Sequence, residues 1–364
     1  MSGPPLKVLF VTDAPAVGGS EVYMRELIPP LRERGVHAEV ALPDLEGNRG
    51  LREQLKALGV VVHVYGSVSE LPPGFDLYLL SSWNPGGYRK YYRALPGPFV
   101  ALVHDQLMLY VPGLPRGVYR ALYEALQARD IRRAGDVVTV SRWGAEYLRS
   151  QHGMRAVHAV QNGVNTDKFR PPVGAEREEA RAALGFSRFT VLVPARLSAE
   201  KNHVALLPVA RRLPELEFVL VGSGYMEWPV RRLGSANLRF LGGRNDMPLL
   251  YRAADVVLQP TIAENQSLAT LEAMASGAAV VCNDIPAQRE LIEDRVSGWL
   301  VGNGTAGYVE ALRALSRDPG LVAAFGRAAR ARVLERHTLT RNADAFAGTL
   351  REIVAGLGYP LRRP

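Results

Sequence analysis

Short apolar runs alternate with amphipathic helical stretches along the chain. Val8–Thr12, Ala38–Leu42, Val60–Val64, Leu77–Leu80, Phe99–Val103, Val137–Val140 and Ala156–Val160 read as strands. Helical patterns such as Glu21–Arg34 and Arg116–Arg133 lie between them. Strands separated by helices imply parallel sheets. The pattern stops at Lys168-Phe-Arg-Pro-Pro-Val-Gly174, where Pro171-Pro172 interrupts any regular element. It restarts at Thr190–Pro194 and continues through Phe218–Val221, Leu238–Leu241, Val256–Gln259 and Ala279–Cys282. The expectation is an α/β protein with two doubly wound domains, 1–170 and 171–340, facing each other across a cleft. Such sheets bind ligands at the carboxyl ends of their strands.

At 364 residues the chain is comfortable for two domains. A hydrophobic content of 47% supports substantial cores, and a charged content of 22% is ordinary. The net charge of +8 favours anionic ligands, but no nucleic-acid recognition motif accompanies it. The single cysteine, Cys282, sits in an apolar strand pattern and reads as a small core residue. No Cys/His cluster has metal-ligand spacing, and no Asp-x-Asp pair is present, so no metal and no cofactor is expected. No apolar run approaches the ~20 residues of a membrane span. Leu6–Val11 is cut off by Asp13, too short for a signal-peptide core. The expected location is the cytoplasm.

The chemistry concentrates in Glu264-Asn-Gln-Ser-Leu-Ala-Thr-Leu-Glu272. This segment follows the apolar strand ending at Pro260 and leads into a helix. Glu264 falls in the loop; Asn265, Gln266 and Ser267 are candidate helix caps. Glu272 falls inside the helix. Free N–H groups near Ser267 and Leu268 suit a phosphate. An ionised carboxylate only accepts hydrogen bonds, so Glu264 and Glu272 suit hydroxyls on either side of it. A nucleotide sugar has hydroxyls at both ends and a diphosphate between.

Other strand-end loops add to this set. Gly18-Gly19 lets a backbone approach a phosphate or sugar closely, although a plain tight turn fits as well. The surrounding string is not G-x-G-x-x-G, which argues against a dinucleotide dehydrogenase. Arg196 and Lys201, after Thr190–Pro194, offer a bidentate fork and a point charge to a diphosphate. Glu200 between them reads as a surface or capping residue. Gly222-Ser-Gly224 and Gly242-Gly243-Arg244 each follow a strand and leave room for a ribose or base. His104 ends Phe99–Val103 and is followed by Asp105; it suits a sugar hydroxyl or a leaving phosphate, or a structural role. Asn162 is open to either kind of role. Ser141 reads as an N-cap. Between 86 and 133, Arg89, Lys90, Arg93, Arg116, Arg120, Arg129, Arg132 and Arg133 interleave with Tyr88, Tyr91, Tyr92, Tyr110, Leu114, Tyr119 and Tyr123. That face is either solvated or suited to an anionic membrane or lipid-linked acceptor.

Glu264, Leu268, Leu271, Glu272, Ala273, Met274, Ala275 and Gly277 resemble the E-x7-E signature of retaining glycosyltransferases of family 4; Asn265, Gln266 and Ser267 depart from it. Arg196 and Lys201 match the family's Arg-x4-Lys, and His104-Asp105 its Val-His-Asp string. Gly18-Gly-Ser-Glu-Val22 is similar to its opening motif, and Asn162-Gly-Val-Asn165 to its Asn-Gly-Val-Asp. The resemblance implies the GT-B fold, with two Rossmann-like domains and a C-terminal helix, within 341–364, crossing back onto the first. It implies a metal-independent transferase using a UDP- or GDP-linked sugar, with an acceptor in the first domain. In that reading Glu264, His104, Arg196 and Lys201 serve the reaction. Gly18, Gly19, Asn162, Gly222, Gly242, Gly243, Arg244, Ser267, Leu268 and Glu272 hold the donor. A glycogen-synthase-like polymerase, a sugar-nucleotide epimerase or a catalytically silent binding subunit are the alternatives.

Overall fold

A computed structural model describes residues 5–84, 86–104, 106–108, 116–302 and 304–357. Two wholly parallel sheets carry the chain. The first holds β1 (Leu6–Thr12), β2 (Val36–Pro43), β3 (Val62–Tyr65), β4 (Leu77–Ser81), β5 (Phe99–Val103), β6 (Asp136–Thr139) and β7 (Ala156–Ala159). Its spatial order is β3-β2-β1-β4-β5-β6-β7. The second holds β8 (Thr190–Pro194), β9 (Glu217–Val221), β10 (Leu238–Phe240), β11 (Val256–Gln259), β12 (Ala279–Asn283) and β13 (Trp299–Val301). Its order is β10-β9-β8-β11-β12-β13. Each order reverses beside its first strand, between β1 and β4 and between β8 and β11. Those are the topological switch points, where doubly wound sheets leave a crevice.

The strands read as continuous apolar runs because both faces of each sheet are covered. In the second sheet, Val191 and Val193 pack in one core with Leu312 and Phe325, while Leu192 packs in the other with Met274 and Val333. Alternate residues of one strand therefore feed two cores.

The chain divides into two compact units, one built on β1–β7 and closed by the C-terminal helix Leu339–Gly356, the other on Val164–Thr338. The division falls at Gly163/Val164, several residues ahead of Pro171-Pro172. Val164 already pairs with the end of the second unit, its amide donating to the His337 carbonyl at 2.9 Å. The helix Leu339–Gly356 packs on the helix Gly19–Glu33. Phe346 stacks on Phe10 of β1 with centroids 6.1 Å apart, and Tyr23 donates to Asn342 at 2.7 Å.

Two local features lay outside the sequence pattern. The three-residue β13 was not among the expected strands. The helical stretch from Arg116 widens into a π-helical segment at Glu124–Ala128.

Candidate functional site

Arg196, Lys201 and Glu264 of the second unit lie in the loops at the β8/β11 switch point, while Gly242, Gly243 and Arg244 follow the edge strand β10. β8 ends at Pro194, and the chain turns through Arg196 and a short helical turn, Ala199–Lys201. β11 ends at Gln259, and Glu264 follows in its loop. Lys201 Nζ donates to Glu264 Oε2 at 2.5 Å, across 63 residues of sequence. The two side chains are only 15% and 14% exposed. Partly desolvated in this way, the pair is costly to break from one side, because the survivor is left as an uncompensated charge.

Glu200 departs from its expected role as a surface residue. Its side chain is 16% exposed, accepts a bond from Ser198 and pairs with Arg196 at 3.3 Å. Its peptide carbonyl accepts from the Ile262 amide at 2.9 Å and the Thr261 hydroxyl at 3.1 Å. Glu200 therefore ties the two loops together and orients the more exposed Arg196. The only signal in the sequence was its position between two cations, which also fits a solvated residue.

The helix Leu268–Ala275 starts directly after this loop. Ser267 caps it, accepting from the Thr270 amide at 3.3 Å. Asn265, Gln266 and Ser267 are all buried. Glu272 lies in the second turn and accepts a bond from Tyr251 at 2.9 Å. Tyr251 is itself buried, with its ring edge-on to Phe169 at 5.9 Å. Burial, followed by the charge of Glu272, drives the phenol far above its ordinary pKa, so it stays a donor. This tyrosine fixes one oxygen of Glu272. Nothing in its apolar helical setting distinguished it beforehand.

The glycine loops divide into two kinds. At Gly222 (φ +140°) a Cβ would lie 2.1 Å from the Ala195 carbonyl oxygen; at Gly224 (φ +155°) it would lie 2.3 Å from that of Leu197. These glycines let the loop after β9 press against the loop carrying Arg196, a structural need apart from any ligand. Gly242 and Gly243 meet nothing within 4 Å and leave open backbone. Arg244 pairs with Asp246 at 2.8 Å.

Gly18, Gly19, His104 and Asn162 belong to the first unit, at carboxyl ends of its strands. A Cβ on Gly18 would meet the Trp83 ring at 2.5 Å, so the glycine seats the indole at the β1/β4 switch point. Gly19 opens the helix and is exposed. Glu21, which the sequence reading passed over, is 1% exposed. Its carboxylate accepts from Thr12 (3.1 Å), the Gly18 amide (3.0 Å), Ser20 (3.0 Å) and the Trp83 indole (3.2 Å). Burial raises its pKa, and the bonds from the Gly18 amide, Ser20 and Thr12 oppose the rise. His104 shares with Glu21, Thr12 and Ser81 a cavity of about 20 Å³, room for about one water. Loss of water pulls the imidazole down to about 4, so it is neutral at pH 7. Tyr23 meets it edge-on at 5.9 Å. Asn162 is buried.

Ser141 is an N-cap, accepting from Gly144 at 2.8 Å. Asp255 is structural, held by Arg177 at 2.6 Å and Arg181 at 2.9 Å. In the basic, aromatic stretch Tyr88, Tyr91 and Tyr123 point into the core, while Val118, Leu122 and Leu126 are about half exposed. Asp105, Tyr110 and Leu114 lie outside the described residues, as does the side chain of Arg116. Among the described residues no helix is long and apolar enough to cross a membrane.

Comparison with known proteins places this geometry. The family model described as glycosyl transferases group 1 matches residues 176–332, and that described as glycosyltransferase family 4 matches 17–168. The D-inositol 3-phosphate glycosyltransferase of Saccharomonospora viridis is 34% identical over 224 residues, 55% of this chain and 51% of that one. The phosphatidyl-myo-inositol mannosyltransferase of Mycobacterium tuberculosis is 30% identical over 215 residues, 56% of this chain and 53% of that one. The chain spans about half the length of the curated relatives it matches. Anabaena HepE, solved in complex with UDP-glucose, superposes with a TM-score of 0.77 at 23% identity, over 95% of this chain and 100% of that one. That likeness shows the fold. The family matches cover most of both units, and each unit carries its parallel, doubly wound sheet: the chain belongs to the group 1 glycosyltransferases and has the GT-B fold.

Proposed function

We propose that this protein is a retaining glycosyltransferase that moves a sugar from a UDP- or GDP-linked donor to an acceptor without a metal ion. The observation that carries the reading is the Lys201–Glu264 contact at the β8/β11 switch point, with Arg196 on the same loop. Arg196, Lys201 and the N–H groups at the start of Leu268–Ala275 face the departing diphosphate. Its charge grows as the bond to the anomeric carbon breaks, so preorganised donors there speed the step. Glu264 orients hydroxyls of the transferred sugar, and Lys201 holds its carboxylate in place until the donor binds. Glu272, steadied by Tyr251, accepts from the ribose hydroxyls. Gly242 and Gly243 leave open backbone for the base. These cations make a metal unnecessary for charge neutralisation. HepE in complex with UDP-glucose supports the donor class.

The acceptor is read as lipid-linked. Val118, Leu122 and Leu126 recur every fourth residue and stay exposed, with Arg120 and Arg129 on the same helical stretch. An apolar stripe flanked by cations suits an anionic membrane surface. The mannosyltransferase relative, whose name specifies phosphatidyl-myo-inositol, agrees with it.

A thermal-shift screen of nucleotide sugars, with and without EDTA, tests the donor. A cognate donor stabilises by mass action, by about 2.7 kcal/mol at a hundredfold excess over Kd. The shift should survive the chelator, and transfer or donor hydrolysis should follow. No shift with any UDP- or GDP-sugar, or activity lost to EDTA and restored by Mg²⁺, would contradict the reading. Co-flotation with phosphatidylglycerol vesicles, lost in Leu122→Glu, tests the acceptor side; equal flotation of both proteins would remove it.

A further inference from the structure

A groove of about 630 Å³ runs along the second unit between the helices Leu206–Arg212 and Thr305–Arg317. Ala306, Val309 and Ala314 give it a low apolar floor, and Arg212, Arg313, Arg317 and Glu310 line it. It stands apart from the loops described above. The helix Leu206–Arg212 begins just after the Lys201 loop and runs back along the sheet, so its last residue, Arg212, lies near the opposite edge.

What distinguishes the groove is that three arginines line it together without carboxylate partners. Many arginines elsewhere are paired: Arg170 with Glu176, Arg231 with Glu227, Arg289 with Asp284. Among the described residues the guanidinium groups of Arg212, Arg313 and Arg317 have no hydrogen bond, ion pair or ring contact. The one carboxylate in the groove, Glu310, pairs at 3.6 Å with Arg295. A helix C-terminus favours a cation, which accounts for Arg212 and Arg317 in part. It does not account for Arg313, a full turn earlier. Arg313 and Arg317 stand four residues apart on one helix, a spacing at which like charges destabilise it. An anion lying between them would relieve that repulsion. The guanidinium fork fits phosphate oxygens two at a time.

We propose that this groove is a second anion site, which binds a ligand carrying two or more phosphoryl groups independently of the nucleotide-sugar site. Three cations converging from two helices exceed what a single phosphate needs, and the small floor residues leave room for a multiply charged ligand.

Isothermal titration on Arg196→Ala/Lys201→Gln tests it, because that background disarms the diphosphate loop and Gln still donates to Glu264. Inorganic tripolyphosphate, metal-free ATP and fructose 1,6-bisphosphate form the arms, separating an inorganic, a nucleotide and a sugar-phosphate ligand. At least one should bind, with affinity falling as salt rises. Adding Arg313→Ala/Arg317→Ala should lower that affinity at least tenfold while far-UV circular dichroism stays unchanged. Absence of binding in all three arms would overturn the proposal. So would binding that the two substitutions leave unaltered, even if the donor site itself behaves as proposed.

Discussion

The two sheets reverse strand order at equivalent places, yet their switch points are furnished differently. At β8/β11, formal charges meet: Lys201 on Glu264 at 2.5 Å and Arg196 on Glu200 at 3.3 Å. At β1/β4, the carboxylates of Asp13 and Glu21 meet neutral donors instead of cations. Glu21 is buried among neutral donors with its pKa raised, and His104 is held neutral. The same doubly wound frame supplies a place in both cases; the loops supply the chemistry. In the proposed reaction the charged crevice handles the diphosphate, which needs cations. The crevice without cations faces hydroxyl groups, which need only hydrogen-bond partners.

The comparison breaks most directly at the cations. Arg196→Ala and Lys201→Ala should each lose transition-state stabilisation of about 2–4 kcal/mol, a hundredfold or more in kcat. Arg196→Ala should keep Tm close to wild type, since Arg196 is itself about half exposed and Glu200 keeps its bond from Ser198. Lys201→Ala should lower Tm by stranding Glu264. Near-wild-type turnover in both would remove the diphosphate assignment. Next comes backbone approach. Gly222→Ala forces a Cβ into the Ala195 carbonyl and should cost about 3 kcal/mol of stability, read by urea unfolding. Gly243→Ala, with open space around it, should stay within about 1 kcal/mol; equal losses would mean that the two loops do not differ as described.

The smallest expected effect concerns acid, and it touches both units. Burial holds His104 and His203 at about 4, against an ordinary 6.5. The unfolded chain then binds more protons than the folded one between those values. Their contribution is complete above pH 6.5 and is lost as pH falls toward 4. His203 has neither ring nitrogen hydrogen-bonded and sits two residues after Lys201, whose charge adds to the depression. Between pH 7 and 6 the unfolding free energy should drop by about 1 kcal/mol from these two groups. His203→Leu should flatten part of that slope, and an unchanged slope would count against it.

How much could be read beforehand follows from the same contrast. Central strands buried on both faces, such as β1, β4, β8 and β12, announce themselves as apolar runs, and β1–β12 were all legible, with only their ends shifted. β13 (Trp299–Val301) was not, although β10 is equally short. Glu264, Arg196 and Lys201 stood out as candidates because charged residues at strand-end loops are conspicuous in an apolar pattern, and Glu272 through its spacing from Glu264. The residues that hold them were not. Tyr251 and Glu200 act through contacts to residues 21 and 61 positions away in the chain, and no local pattern encodes such meetings. Gly222 was legible as a glycine at a strand end, but its reason, the carbonyl of Ala195, required the fold.

The central claim is that Glu264 and Glu272 bracket the donor, one at the transferred sugar and the other at the ribose. Nucleotide titration combined with steady-state kinetics on Glu264→Ala and Glu272→Ala tests it most directly. Glu272→Ala should chiefly weaken nucleotide affinity, while Glu264→Ala should leave that affinity nearly intact and lower kcat, the signature of an interaction made mainly in the transition state. If Glu264→Ala abolished nucleotide binding while Glu272→Ala kept it, the donor would lie the other way round and the account of the site would be wrong.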